Sequence, residues 1–278
     1  MARTKVLITV TTYPLPSRSY DELVCTAGIT EQGHWIRIYP VPLQFLKGLR
    51  KDGKMQSYKY TWIELDLKKR TDDFRPESHS PADYTFKDIV IGESIDTKHN
   101  WKARKHYCTS KIYKNITQLI EDSKEPKNIS LVTFKPTEFL AFEIEQDERE
   151  WKPEWKEQIN QLQLNFDEPD KNTKRVLIDK LPYKFFYKFK DEKGTVSRLM
   201  IEDWEIGALY WNCLKSVDGD ETKALQKVRD KFESDFMKNK DLYLFLGTTK
   251  EWHTRRSKNP FVIIGVFYPP KEMQMSLF

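Results

Sequence analysis

The sequence predicts an α+β fold, with mixed β-sheets and about four helices. Short segments rich in β-branched and aromatic residues recur along the chain between turns that contain Gly, Pro or Asp, which is typical of strands and hairpins. Apolar residues recur at helical spacing in only a few segments. The 13% aromatic and 38% hydrophobic content of the 278 residues indicates a globular chain with two domains or one large one.

The first half of the chain is predicted to consist mainly of strands. Segments 6–10 and 23–29 are apolar and β-branched, and the turn 31–33 connects the second of them to residues 34–39 in a β-hairpin. Residues 58–68 alternate between polar and apolar side chains, as expected of a half-buried strand. The other elements predicted here are a helical turn at 43–49, strands at 89–95, 129–134 and 139–144, and a helix at 111–124.

The second half is predicted to combine strands with two longer helices. A second hairpin is expected around the turn 191–194. Three acidic residues, Glu202, Asp203 and Glu205, open the first long helix and suit the positive end of its dipole. A divalent-metal site is the alternative interpretation of these acids. The elements predicted here are strands at 183–189, 196–201, 241–246 and 261–268, and helices at 202–214 and 221–237.

The domain organisation is predicted from a charged, proline-containing region in the middle of the chain. We expect a β-rich domain at residues 1–150 and a linker or connecting helix at 151–175. An α+β domain is expected at residues 176–278.

Composition limits the classes of function. The 47 basic and 42 acidic residues give a net charge of +5, so a nucleic-acid partner would have to bind a local basic patch. The three cysteines are widely separated, no signal peptide is recognisable, and no apolar segment reaches the roughly 18 residues of a membrane span. We therefore expect a cytoplasmic protein with no membrane partner. Because neither zinc-ligand nor phosphate-loop spacing occurs, we expect no metal and no cofactor.

Three stretches have the composition of a nucleic-acid-binding surface. On the strand at 34–39, two aromatic residues flank an arginine on one face, and segment 98–107 holds four Lys or Arg residues, two histidines and two aromatic residues. Residues 247–258 form a long basic loop. The alternatives are a strand covered on both faces, its arginine paired to an acid, and a solvated helix surface. The predicted nucleic-acid-binding residues are Trp35, Arg37, Trp101, Arg104, Lys105, His106, Arg255 and Arg256.

A proline-rich loop at 72–81 holds most of the candidate catalytic residues. Its ionisable side chains alternate as if directed at one pocket. An arginine–carboxylate pair that only fixes the loop is the alternative. The candidate acids and bases are Asp73, Glu77 and His79, together with His253 of the basic loop.

The last five residues carry the one resemblance to a known family. Gln274, Met275, Ser276, Leu277 and Phe278 follow the pattern glutamine, two variable residues, leucine, phenylalanine. This pattern resembles the peptide by which bacterial polymerases and mismatch-repair proteins bind the DNA sliding clamp. The resemblance implies that the glutamine hydrogen-bonds the clamp and that the Leu-Phe pair fills an apolar pocket. A tail that packs on its own domain is the alternative.

A second segment is similar to the six-residue variant of the same peptide. It comprises Gln161 to Phe166, but it is equally consistent with the last turn of a helix. Pro269 and Pro270 are expected to end the last strand and hold the tail in an extended form.

These observations predict a DNA-associated protein that the sliding clamp recruits for repair, for recognition of modified DNA or for defence against phage. Two other classes remain open. One is a nucleic-acid-processing enzyme, such as a nuclease or a base-processing protein. The other is a protein-interaction module with no role at DNA.

Overall fold

The computed structural model describes residues 2–12, 23–51, 53–55, 57–153 and 179–272, and it confirms the α+β class. The strands are β1 (Ala2–Thr11), β2 (Leu23–Thr30), β3 (Trp35–Pro42), β4 (Arg50–Lys51), β5 (Lys54–Met55), β6 (Thr61–Lys69), β7 (Ser78–Pro81), β8 (Val90–Ser94), β9 (Ile112–Tyr113), β10 (Leu131–Phe134), β11 (Glu138–Gln146), β12 (Tyr183–Lys190), β13 (Val196–Met200), β14 (Tyr243–Thr248) and β15 (Phe261–Phe267).

The described helices are α1 (Leu43–Lys47), α2 (Lys98–Cys108), α3 (Ile116–Asp122), α4 (Trp204–Ser216), α5 (Glu221–Arg229), which continues as a π-helix at Asp230–Met237, and α6 (Lys250–Thr254). None of these helices is both long and apolar enough to cross a membrane.

Five strands of the first half close into a barrel. Strand β1 pairs antiparallel with both β2 and β6. The pairs β2–β3, β3–β7 and β7–β6 complete the ring, and β8 pairs with the first part of β6. Because side chains alternate across a strand, every second residue of a barrel strand faces the interior, and the apolar residues at these positions fill the barrel. These buried residues include Val6, Ile8, Ile36, Ile38, Ile63, Leu65 and Leu67.

The β2–β3 hairpin turns where the sequence predicts. The backbone N–H groups of Thr30 and Gly33 donate to the carbonyl oxygens of His34 and Thr30, each at 2.9 Å. Gly33 has a φ of +80°, a conformation that glycine adopts without strain. The turn thereby places His34 and Trp35 at the rim of the barrel.

The second half forms two sheets with helices packed on them. One sheet has the order β15–β14–β10–β9, and β11–β12–β13 form the other. Strands β10 and β11 therefore pair with β14 and β12 of the C-terminal half. The predicted linker at 151–175 falls largely outside the described residues, and the predicted domain boundary stays a prediction.

The barrel packs its outer face against the first of these sheets. The apolar contact buries one side of β1, β2 and β3 under β10, β14 and β15. Its members include Leu7, Val10, Ile29, Leu131, Phe245 and Phe267. This contact positions the loops that follow β6 and β14 next to one another.

Both segments that resemble clamp-binding peptides lie outside the described residues. These are Gln274 to Phe278 and Gln161 to Phe166. The chain just before the tail is held to the body, because the carbonyl oxygen of Pro269 accepts a hydrogen bond of 2.9 Å from the backbone N–H of Asp241. Strand β15 ends at Phe267, before the two prolines.

Candidate nucleic-acid interface

Arg37 is buried, which corrects the predicted stacking platform on β3. Only 4% of the residue is exposed. Its Nη1 donates to the hydroxyl oxygens of Ser78 (3.2 Å) and Ser130 (2.9 Å). Its Nη2 donates to the carbonyl oxygens of Ser130 (3.3 Å) and Thr248 (3.4 Å). Alternation along the strand placed the side chain on the correct face, but it could not reveal that a second sheet covers this face.

Arg75 and Asp73 form a buried ion pair beside Arg37. The Nε and Nη2 atoms of Arg75 donate to the two carboxylate oxygens of Asp73 at 2.9 and 2.6 Å, and Nη1 donates to the carbonyl oxygen of Thr248 at 2.7 Å. Burial raises the pKa of Asp73, but the hydrogen bonds and charge of Arg75 outweigh it and hold the pKa well below its usual range. This pair is the loop-fixing alternative that the sequence left open.

Glu77 completes this network and balances its charge. Its two carboxylate oxygens accept hydrogen bonds from the backbone N–H (3.0 Å) and the hydroxyl (2.7 Å) of Ser130. Two guanidinium groups and two carboxylates therefore share one buried region. We call Arg37, Asp73, Arg75, Glu77, Ser130 and Thr248 the buried network. It connects the barrel to the start of the basic loop.

His253 is engaged at both ring nitrogens. Its Nε2 lies 2.6 Å from the carbonyl oxygen of Ser123, and its Nδ1 lies 2.9 Å from the hydroxyl of Thr248. Since a carbonyl oxygen only accepts, Nε2 carries the proton and Nδ1 accepts from the hydroxyl. Burial lowers the pKa of His253, so the neutral form is favoured. Its ring fixes the basic loop to the body.

His79 differs from the other candidate acids and bases, because no described residue hydrogen-bonds one of its ring nitrogens. Its Nδ1 lies 2.9 Å from the carbonyl oxygen of Glu77 and must donate to it. Its Nε2 therefore presents a lone pair. The side chains of Asp73, Glu77 and His253 are all engaged within the protein, so His79 is the candidate with an available atom.

A cleft of about 460 Å³ opens beside the buried network, between the loop after β6 and the loop after β14. We call it the basic cleft. Phe74 lines it, is 47% exposed, and meets the ring of His253 edge to face at 4.9 Å. Lys124 and Arg256 also line it, with Glu125 as the one acid among its described lining residues. The predicted loops at 72–81 and 247–258 thus meet at one site.

The basic loop carries further cations and a second exposed aromatic residue next in the chain to residues that line this cleft. Trp252 is 47% exposed, and the guanidinium of Arg255 lies 5.9 Å from its ring centre. Arg255 also pairs with Glu251 at 2.9 Å. Residues 250–258 carry four Lys or Arg residues against one glutamate. The loop is held in place by Lys250, which donates to the carbonyl oxygen of Asp72 at 2.5 Å.

A second cleft, of about 480 Å³, lies under the β2–β3 hairpin. We call it the hairpin cleft. Trp35, Ile129 and Leu131 contribute apolar wall, whereas His34, His79 and Lys111 contribute polar groups. The ring of Trp35 is fixed edge to face against Phe245 at 5.1 Å. Trp35 thus lines a cleft, whereas its neighbour on the same strand face, Arg37, is buried, and the nucleic-acid contact predicted for Trp35 stays a prediction.

The two clefts share a thin wall. Phe74 and Asn128 line the basic cleft, and Pro76, Glu77 and Ile129 line the hairpin cleft. Phe74 and Pro76 are two positions apart in the chain, and Asn128 and Ile129 are adjacent. The buried network runs through this wall, so its integrity determines the shape of both clefts.

The basic segment 98–107 packs elsewhere. Trp101 meets the rings of Phe267 and Tyr268 at 5.6 and 5.3 Å. The guanidinium of Arg104 lies 4.0 Å from the ring centre of Tyr60, and Lys105 pairs with Glu272 at 3.0 Å. His106 is exposed. Neither of the two clefts is lined by these four predicted residues.

Sequence reasoning missed a buried ionisable cluster around Lys59. The side chain of Lys59 is 10% exposed and pairs with Glu205. Asp203 is 2% exposed; its Oδ1 accepts from the backbone N–H of Glu205 at 3.0 Å and caps α4, whereas its Oδ2 has no partner among the described residues. Burial raises the pKa of Asp203 to about 7. The acids at this helix start therefore act as a cap and an ion pair, and the described residues contain no cluster of metal-ligand type.

Comparison with known proteins divides the chain at the end of α2. Residues 2–110 match the family model described as Domain of unknown function (DUF8758). No curated protein matches the chain. Residues 111–278, more than half of the chain, match the model described as Domain of unknown function (DUF8757), and the chain belongs to this family.

Proposed function

We propose that this chain is a DNA-associated protein that holds unpaired DNA in the basic cleft and is brought to the replication clamp by Gln274 to Phe278. The observation that supports the first part is that the half-exposed ring of Phe74 lines the basic cleft together with Lys124 and Arg256. A second half-exposed aromatic residue, Trp252, is the chain neighbour of the lining residue His253. Large aromatic side chains at the surface cost solvation free energy unless a partner covers them.

Unpaired bases suit these aromatic residues better than duplex DNA does. A base that stacks on an aromatic side chain contributes about 1–3 kcal/mol without demanding a particular sequence. Within a duplex the base faces are already stacked and are not available. The cations Lys124 and Arg256, which line the cleft, are then placed to contact phosphate oxygens along the DNA strand.

Binding rather than catalysis is the better-supported role. The carboxylates of Asp73 and Glu77 and both nitrogens of His253 are engaged in hydrogen bonds within the protein. A general base needs a free atom within reach of the substrate proton. Of the four candidates only His79 has a ring nitrogen that no described residue hydrogen-bonds, and it lines the hairpin cleft rather than the basic cleft. The proposed setting is the cytoplasm, in repair, recognition of modified DNA or defence against phage DNA.

Charge reversal in the basic cleft tests the strand-binding half of the proposal. We expect the double variant Lys124→Glu/Arg256→Glu to bind a fluorescein-labelled 20-nucleotide single strand at least about tenfold more weakly at 100 mM salt. The slope of log K against log salt should also fall by about 0.7 for each phosphate that the variant no longer neutralises. Fluorescence anisotropy measures both quantities.

The matched control is Lys193→Glu/Lys215→Glu, which makes the same change in net charge at two exposed lysines on other elements. Its affinity should stay within about twofold of the wild type. Equal reductions in both double variants would point to net charge rather than to the cleft. Weak binding by the wild type with no salt dependence would favour an interaction module instead.

Deletion of residues 274–278 tests the clamp half separately. We expect the truncated chain to lose capture by purified sliding clamp, because the glutamine and the Leu-Phe pair are the groups that such clamps bind in the family it resembles. Its affinity for the single strand should not change. Undiminished capture of the clamp would remove this part of the proposal.

A further inference from the structure

The hairpin cleft offers an arrangement of groups that the proposed function does not use. Its volume of about 480 Å³ falls within the roughly 300–1,000 Å³ of small-molecule sites. Apolar residues such as Trp35 and Leu131 form part of its wall, and polar groups converge at the rim. Such a combination is typical of a site for a flat, partly polar ligand.

His79 has one ring nitrogen in this cleft, Nε2, that no described residue hydrogen-bonds. The hydrogen bond from Nδ1 of His79 to the carbonyl oxygen of Glu77 fixes the tautomer of the ring. The lone pair on Nε2 is therefore available to accept from an N–H group of a ligand. Glu77, which also lines the cleft, is held by Ser130, because each of its carboxylate oxygens accepts one hydrogen bond from that residue.

The rim of the cleft supplies a lysine and an exposed imidazole. Lys111 and His34 are both exposed there. The hairpin turn closes onto the segment before Lys111, since a Cβ on Gly33 would lie 3.1 Å from the hydroxyl oxygen of Ser110. A lysine and an imidazole at the opening of an apolar cleft suit a ligand with a heterocycle at one end and an anion at the other.

We infer that the hairpin cleft binds a nucleotide, with the base among the apolar residues, an N–H group of the base on Nε2 of His79, and the phosphate at Lys111 and His34. The inference extends the proposed function, because an unpaired DNA strand bound in the basic cleft would pass the wall at Phe74 and Pro76 and would supply such a base to the hairpin cleft. Binding of a free nucleotide does not depend on that strand.

A pair of conservative variants isolates the histidine nitrogen. In His79→Asn the side-chain N–H₂ replaces Nδ1–H as donor to Glu77, but the acceptor Nε2 is lost. His79→Gln reaches the position of Nε2 and restores an acceptor there. We expect His79→Asn to weaken binding of free 5′-deoxynucleoside monophosphates at least about fivefold, measured by calorimetry, and His79→Gln to recover most of it.

The phosphate and the source of the base are tested with further ligands and variants. Lys111→Glu should weaken binding of the monophosphates but leave the affinity for the matching nucleosides within about twofold. Lys124→Glu/Arg256→Glu should leave the affinity for the monophosphates unchanged.

Addition of a monophosphate should shift the indole N–H signal of Trp35 in a proton–nitrogen spectrum. A base supplied by a strand, rather than a free nucleotide, is indicated if an oligonucleotide displaces the monophosphate and its fully abasic counterpart does not.

The results that would overturn the inference are clear. No binding of any monophosphate, binding that is the same in His79→Asn as in the wild type, or a signal shift at other tryptophans only would each remove it. Absence of strand binding by the wild type with intact monophosphate binding would instead remove the proposed function and leave this inference standing.

Discussion

The basic cleft and the hairpin cleft lie on either side of one wall, and each contains a histidine in a different state. His253, at the basic cleft, is buried and engaged at both ring nitrogens, so it can only hold the loop. His79, at the hairpin cleft, is half-buried and has an acceptor that no described residue uses. A histidine therefore holds a loop in place at the basic cleft, whereas at the hairpin cleft a histidine presents an acceptor nitrogen to the cleft.

The polar groups of the two clefts differ in the same way. Around the basic cleft the buried ionisable groups are saturated, and the binding groups are exposed cations and aromatic rings. In the hairpin cleft the available polar atom lies among apolar residues. Exposed cations give affinity that salt weakens, whereas an oriented acceptor in an apolar cleft gives selectivity. The comparison predicts that variants on the two sides affect different measurements.

The largest effect on stability should come from removing one partner of the buried ion pair in the wall between the clefts. Arg75→Ala leaves the carboxylate of Asp73 buried without its partner, and we expect a loss of about 3–5 kcal/mol in the free energy of unfolding. Urea denaturation measures this loss. The control Arg70→Ala breaks the more exposed pair with Asp72 and should cost about 0–1 kcal/mol.

A second variant distinguishes the cost of a buried unpaired charge from the cost of lost packing at residues 73 and 75. Asp73→Leu/Arg75→Met removes both charges and keeps apolar volume, so it should be less destabilising than Arg75→Ala alone. If the double variant were the more unstable of the two, the ion pair would itself be a net source of stability, and our account of the wall would be wrong.

A smaller effect should appear as a pH dependence from His253. Because burial lowers its pKa in the folded state, the unfolded chain takes up a proton first as the pH falls below about 6.5. This residue therefore contributes a loss of stability on acidification, with a limit of about 1.4 kcal/mol per pH unit for one proton.

The matched variant is His253→Gln, whose amide can donate to Ser123 in place of Nε2–H but cannot take up a proton. We expect the free energy of unfolding of this variant to fall less steeply between pH 7 and pH 5 than that of the wild type. Identical slopes in the two proteins would show that His253 does not titrate as a buried neutral group.

Much of the local structure could be predicted from the sequence. The hairpin at Gly33, the strand at β6 and the helix that Asp203 caps follow from turn residues, alternation and capping chemistry, which act between neighbours in the chain. Closure of the barrel depends on the pairing of β1 with β6, about 60 residues away, and no local pattern encodes it.

The candidate site was only partly predictable for a related reason. The composition of the loops identified Asp73, Glu77, His79 and His253 as candidate acids and bases and left an arginine–carboxylate pair open as the alternative. It could not show that Ser130 and Thr248, on other elements, would engage Glu77 and His253. Alternation on β3 placed Arg37 on one face, but burial of that face depends on a sheet from the other half of the chain. Phe74 was part of the loop at 72–81, yet its exposure beside His253 is visible only in the folded chain.

The most direct measurement is to locate a bound strand on the protein surface. A single-stranded oligonucleotide with 5-iodouracil at several positions can be cross-linked by ultraviolet light to aromatic side chains that stack on it, and mass spectrometry then identifies the peptides. The account predicts cross-links at Phe74 or Trp252. Cross-links confined to Trp101 and its neighbours, or a bound strand that cross-links at neither cleft, would contradict it.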